Sequence, residues 1–185
     1  MSCKKILIIC PFPQGVAAGQ RLKYEQYFNH WRDNGYEIIV SPFMNKFMWK
    51  VVYLKGQYLL KIIGTIIGYF YRLSDLFRIA KYDIVYIHMW VTPFGSTLFE
   101  RIVRVLSKRL IYDIEDNTIT NVGSSVNAII APLKNSNKNK FLMKVADYVI
   151  TSSPVLNKHC LDVNNNKKCK YISSSINIEN FLPVN

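Results

Sequence analysis

Five consecutive apolar residues, Ile6-Leu7-Ile8-Ile9-Cys10, follow Lys4-Lys5 and end at Pro11 and Pro13. A run of that length with no polar alternation predicts a strand covered on both faces, the signature of a parallel sheet sandwiched by helices. The next residues complete the unit. Gln14 to Gly19 is a small-residue loop. From about Gln20 to Asn34 the positions Leu22, Tyr24, Tyr27, Phe28 and Trp31 recur at helical spacing, and Gly35 stands where such a helix would cap. Glu37 to Ser41 then reads as a second strand, so the chain opens with strand, loop, helix, strand.

The same alternation continues. Strands are expected at Tyr82–His88, Leu110–Asp113, Tyr148–Thr151 and Lys170–Ile172. Helices are expected over Pro93–Ser107, Lys140–Ala146 and Pro154–Cys160, with a mobile, Asn/Ser/Lys-rich loop over Gly123–Asn139. This order predicts an α/β fold: a Rossmann-like open, mostly parallel sheet with helices on both faces. Ligands of such sheets bind at the carboxyl ends of the strands, which directs attention to the loops after Cys10, His88, Asp113 and Thr151. The chain has 185 residues with no internal repeat or evident boundary, and we expect residues 1–185 to form one domain.

Half of the residues are apolar and 19% are charged, which excludes intrinsic disorder. The formal net charge of +12 predicts an anionic partner: a membrane surface, a nucleic acid or a phosphorylated ligand. Cys3, Cys10, Cys160 and Cys169 form no CxxC pair and have no nearby ligand-spaced histidines. No zinc or other metal site is therefore expected, and the cysteines read as free thiols of a reducing cytosol. The seven-residue stretch from Ile6 to Phe12 is short for a signal-peptide core, and no run is long enough to span a bilayer. An RNA-recognition pattern, a zinc finger and a helix-turn-helix are all missing from the sequence, so nucleic-acid binding is the weakest of the basic-protein readings.

Five candidate groups emerge. Gly15, Ala17, Ala18 and Gly19 lie between a strand and a helix, where exposed amides favour a phosphate; an ordinary turn is the alternative, since GxGxxG is absent. Arg21 has the guanidinium geometry for an anionic group, or is simply solvated. His88 ends an apolar strand at the ligand-facing edge and is suited to proton exchange or to bonding a hydroxyl; a buried structural histidine is the alternative. Asp113, Glu115 and Asp116 are the densest acidic cluster and can accept bonds from hydroxyls, with helix capping the alternative for Asp116. The segment Met44–Lys81 carries seven basic residues against Asp75 alone, interleaved with aromatics. Lys50, Lys55, Lys61 and Arg72 are the membrane-surface candidates there, because spacing on one continuous helix would align Lys50, Lys61 and Arg72, as a membrane-surface helix requires. A core helix with a charged edge is the alternative. Gly64 and Gly68 read as a close helix-packing site. His30 and His159 read as structural or surface residues.

Several segments, in order, resemble the N-terminal domain of bacterial GT-B glycosyltransferases of the family 4 type: KILIICPFP, GQRLKYEQYF, GYEIIVSPF, YDIVYIHMWVTPFGSTLFERIV, LIYDIEDNT, ADYVITSSPVL and YISSSINIENFLP. One departure is Ser173-Ser174-Ser175-Ile176, where that family usually has a Pro-Asn-Gly-Val-type turn. The resemblance implies an acceptor-binding half of an enzyme that moves a sugar from a nucleotide-sugar donor to a glycan or lipid-linked acceptor in cell-surface polysaccharide synthesis. It implies His88 as the catalytic residue facing the reacting sugar. Arg21, Asp113, Glu115 and Asp116 would orient the acceptor, and the Gly15–Gly19 loop would lie near the donor diphosphate. No cofactor or metal is implied; the donor is a substrate, held mainly by a C-terminal domain that this sequence lacks. A second chain is then an expected partner, and the expected location is cytoplasmic, peripheral at the inner face of the membrane. The alternative is a non-catalytic subunit of a two-chain transferase.

Overall fold

A computed structural model describes residues 3–115 and 137–176. Six parallel strands form one sheet: β1 (Lys4–Cys10), β2 (Tyr36–Pro42), β3 (Ile84–His88), β4 (Leu110–Ile114), β5 (Tyr148–Thr151) and β6 (Cys169–Tyr171), in the spatial order β2-β1-β3-β4-β5-β6. The expected Rossmann-like α/β architecture is present.

The continuous apolar runs are explained by two separate cores. Leu7 and Ile9 of β1 join Val85, Ile87, Tyr112 and Ile114 on one face. That face is covered by α5 (Leu98–Leu106), α6 (Asn137–Val145) and α7 (Pro154–Val163) through Val103, Leu142 and Leu156. Ile6, Ile8 and Cys10 point the other way, with Tyr86, against Tyr24 and Phe28 of the opening helical segment. Period-two alternation therefore exists along β1, but both sets meet protein, so both are apolar.

Three elements differ from the sequence expectation. The Gln20–Asn34 helix is broken into α1 (Ala18–Lys23), a 3₁₀ turn (Glu25–Tyr27) and α2 (Phe28–Asp33). The break is at Tyr24, with φ −138°, whose buried ring packs on Tyr86 and Phe28. Gly35 does close this segment, at φ +82°. Second, Met44–Ala80 is not one helix. Left-handed backbone at Gly56 and Gln57 separates α3 (Lys46–Val52) from α4 (Tyr58–Arg78). Third, α6 begins at Asn137, inside the segment expected to be loop. The buried Lys138 ammonium there reaches Thr92 and Phe94 carbonyls at 3.1 and 2.5 Å. Residues 123–136 of that expected loop lie outside the described residues.

The packing expected of Gly64 and Gly68 is visible. A Cβ on Gly68 would stand 2.6 Å from the Phe43 ring, and one on Gly64 would stand 2.8 Å from Met48. Arg72 lies on the same face, fully buried. Its guanidinium donates to the carbonyls of Cys10, Ser41 and Val91 and pairs with Asp75. This corrects the assignment of Arg72 to a membrane surface: it pins α4 to the carboxyl ends of β1 and β2. Lys50 and Lys55 are exposed as expected, and Lys61 is half-buried with its ammonium on the Leu54 carbonyl. The expected alignment of Lys50, Lys61 and Arg72 fails because the turn at Gly56 and Gln57 intervenes. Among the described residues no helix is long and apolar enough to cross a membrane.

Candidate active site

The strand order reverses at β1 and β3: the chain leaves β1 for β2 on one side and returns to β3 on the other. In open α/β sheets the crevice at the carboxyl ends beside such a reversal is where ligands bind, because the two flanking loops diverge there. His88, the last residue of β3, stands at that point, in register with Asp113 of β4.

A chain of charged groups is built around this pair. Asp113 is wholly buried. Its Oδ1 lies 2.5 Å from the Lys23 ammonium, itself buried at the end of α1. Its Oδ2 accepts from the Tyr86 hydroxyl at 2.5 Å and lies 3.4 Å from His88 Nδ1. Burial alone would raise the Asp113 carboxyl; His88 and Lys23 outweigh that and hold it below the ordinary carboxylate range. On the other side of the imidazole, His88 Nε2 lies 3.9 Å from Glu115 Oε1, and the Glu115 side chain is partly exposed. The Tyr24 ring closes the inner wall, edge-on to the imidazole at 5.2 Å. Nδ1 thus faces Asp113 and Nε2 faces the Glu115 side, so the ring is held between two carboxylates. The arrangement is an oriented imidazole between a buried and a solvent-side carboxylate, suited to passing a proton at Nε2.

The backbone after His88 is constrained as well. Met89 has φ +63°, a conformation that costs a non-glycine residue about 1–3 kcal/mol. Its amide donates to the Asp113 carbonyl and its own carbonyl accepts from the Tyr112 hydroxyl, both at 2.9 Å, while the Trp90 amide returns to the His88 carbonyl at 2.8 Å. These bonds hold the strained turn and fix where the β3–α5 loop leaves the imidazole.

The other expected residues divide. Asp113 is corrected from an acceptor-contacting residue to a positioning one: its oxygens serve Lys23, Tyr86 and His88, and it has no surface to offer. Glu115 lies beside the His88 ring and against Gly19, where an added Cβ would stand 3.1 Å from its Oε1. A side chain at Gly19 would thus press on the end of the Glu115 side chain. Gly15 has φ +82°, and its amide donates to Glu25 at 2.9 Å. That amide is engaged by a carboxylate of the chain, which corrects its expected availability to a phosphate. Gln20 fastens the same loop through the Phe12 amide and carbonyl, each at 3.1 Å. Ala17 precedes α1 and Ala18 begins it; Arg21 is exposed one turn on. Asp116 lies outside the described residues. His30 and His159 are exposed on α2 and α7, apart from the site.

Lys23, Tyr24 and Tyr86 were missed by sequence reasoning. Tyr86 carried a signal: two residues before His88, it shares that face of β3. Lys23 carried none, since a lysine in a helix reads as solvated. At the carboxyl ends of β1 and β2, Pro13, Gly15, Val40, Pro42, Asn45 and Lys46 line an open cleft of about 540 Å³. A scan against protein-family models matches none, and a search of curated proteins returns no significant match.

Proposed function

We propose that this chain is the acceptor-binding half of a glycosyltransferase, the part that holds a glycan or lipid-linked hydroxyl while a nucleotide sugar is supplied by another domain or chain. The observation that carries it is the Asp113-held imidazole of His88 beside Glu115 at the sheet's reversal point. The partly exposed Glu115 carboxylate is an acceptor for a sugar hydroxyl at that rim, and the buried His88 ring behind it lies 3.9 Å away through Nε2. The Pro13–Lys46 cleft, at the carboxyl ends of β1 and β2, would take the rest of an acceptor.

The test is direct binding. Oligosaccharide acceptors, free and lipid-linked, are titrated against the chain with ligand-observed NMR. Contact should appear and should weaken roughly tenfold in Glu115→Gln, which loses the charged acceptor. Absence of contact with every acceptor, or unchanged contact in the variant, refutes the assignment. One observation favours the non-catalytic-subunit reading: His88 is only 1% exposed, whereas a catalytic group must touch its substrate. Sugar transfer by the assembled two-part enzyme that persists in His88→Gln would decide for it.

A further inference from the structure

The outward face of α4 follows a seven-residue repeat. Leu59, Ile63, Ile66, Phe70, Leu73 and Phe77 are separated by alternating steps of four and three residues, without a break. At about 100° per residue they fall within an arc of about 80°. All six are exposed, with Leu59, Phe70 and Phe77 at 70%, 63% and 81%. The opposite arc holds buried Gly64, Gly68, Arg72 and Asp75, and α3 is packed on that arc through Met48. A helix that faces water on its outer side shows the reverse arrangement.

Steps of four and three form the seam by which one helix seats its side chains between those of another. The positions flanking this seam are Leu60, Ile67 and Ser74 on one side and Ile62, Tyr69 and Leu76 on the other, none of them charged. The charges of α4 are elsewhere. Arg72 and Asp75 are buried, Arg78 is bonded to Asp75, and Lys61 is on the arc opposite the seam with its ammonium on the Leu54 carbonyl. A second copy of the helix can therefore approach the seam without setting like charges against each other. The six seam residues and Ile62 expose on the order of 800 Å² between them, the area one partner contributes to a standard stable interface.

We propose that this seam is a homodimer interface, in which α4 pairs antiparallel with α4 of a second copy across a two-fold axis level with Gly68. The seam is its own complement in that arrangement. Leu59 meets the partner's Phe77, Ile63 meets the partner's Leu73, and Ile66 meets the partner's Phe70, because the members of each pair lie symmetrically about Gly68. Two of the three layers set an aliphatic side chain against a phenyl ring and the third sets Ile against Leu, so large and smaller groups interdigitate. A parallel pair would instead stack Phe70 on Phe70 and Phe77 on Phe77, and would align the two helix dipoles unfavourably. The glycine contacts make the seam available: by seating the opposite arc on Phe43 and Met48, they turn all six large side chains away from the domain's own core.

The experiment is sedimentation equilibrium of the full chain over a concentration series, with circular dichroism to check the fold of each variant. The parent should reach twice the chain mass. Salt should strengthen the dimer, because it screens two chains of net charge +12 from one another. Ile66→Ser with Phe70→Ser removes four large apolar side chains from the interface and should raise the dimer Kd at least about a hundredfold. Val105→Ser, at a residue 82% exposed on α5, should leave it unchanged. Register is read by copper-catalysed air oxidation in a Cys3→Ser, Cys169→Ser background: a mixture of Leu59→Cys and Phe77→Cys chains should form a disulfide-linked dimer that neither forms alone. A monomer at every concentration, a dimer that the serine pair leaves intact, a mixture that does not cross-link, or a cross-link in either variant by itself overturns the proposal. So does a chain that stays monomeric and floats with phosphatidylglycerol vesicles, which would give the face to lipid. No sugar acceptor is present, so failure here and failure of the acceptor site are separate results.

Discussion

Replacing Asp113 with asparagine removes one charge from a buried pair and leaves the other in place. The Lys23 and Asp113 side chains are 2% and 0% exposed, so water cannot take over for the missing partner. Removing one member of a buried ion pair typically costs about 3–5 kcal/mol. For a chain of this length that is a fall in Tm of about 6–20 °C. The double variant Lys23→Met with Asp113→Asn removes the stranded ammonium, while the amide can still bond Tyr86 and His88; it should return to within about 1–2 kcal/mol of the parent. Urea unfolding at neutral pH, followed by circular dichroism, measures all three. The pH dependence gives an independent reading. Because the folded Asp113 carboxyl is held below its ordinary range, its contribution is complete above that range and is lost as pH falls through the folded value. The parent should therefore lose stability on acidification faster than Asp113→Asn, and the two curves should converge in acid. An Asp113→Asn variant within about 1 kcal/mol of the parent, or a double variant whose loss is the sum of the singles, would refute the ion-pair account.

Gly64 and Gly68 should respond differently to alanine. At Gly68 the new methyl meets the Phe43 ring, which is wedged between Tyr69 and Trp90 and cannot retreat. Overpacking of about 1–3 kcal/mol should exceed the roughly 1 kcal/mol gained in helix propensity. At Gly64 the neighbour is the flexible Met48 side chain, so Gly64→Ala should be neutral or slightly stabilising; equal urea midpoints for the two variants would contradict this contrast. Among the thiols, Cys3 is exposed, whereas burial pushes Cys10 and Cys160 up to about 12. A maleimide at neutral pH should label Cys3 in the native protein and reach Cys10 and Cys160 only in urea, as mass spectrometry after digestion would show.

The strands were legible because a strand covered on both sides must be apolar at every position, and Ile6–Cys10, Tyr82–His88 and Tyr148–Thr151 are nearly so. His88 and Glu115 were legible as site candidates because strand ends in this fold face the ligand side. Lys23 was not, because its meaning depends on Asp113, ninety residues away in the chain, lying beneath it. Arg72 misled for the same reason: by spacing it matched Lys61, and only the carbonyls of Cys10, Ser41 and Val91 make it an interior residue. The kink at Tyr24 was invisible to periodicity, since the apolar spacing continues across it.

Local chemistry alone thus dictated which segments become buried parallel strands, the order of the elements, and that Gly64 and Gly68 mark a close-packing site: each depends on residues close in the chain and on which side chains tolerate burial. Tertiary structure decided which charges lie inside. A buried ion is stable only where a partner and backbone carbonyls converge on it from distant segments, and nothing in its own neighbourhood announces them. The same assembly decided that α4 turns Arg72 inward and Phe70 outward, because the space under Gly64 and Gly68 was taken by Phe43 and Met48.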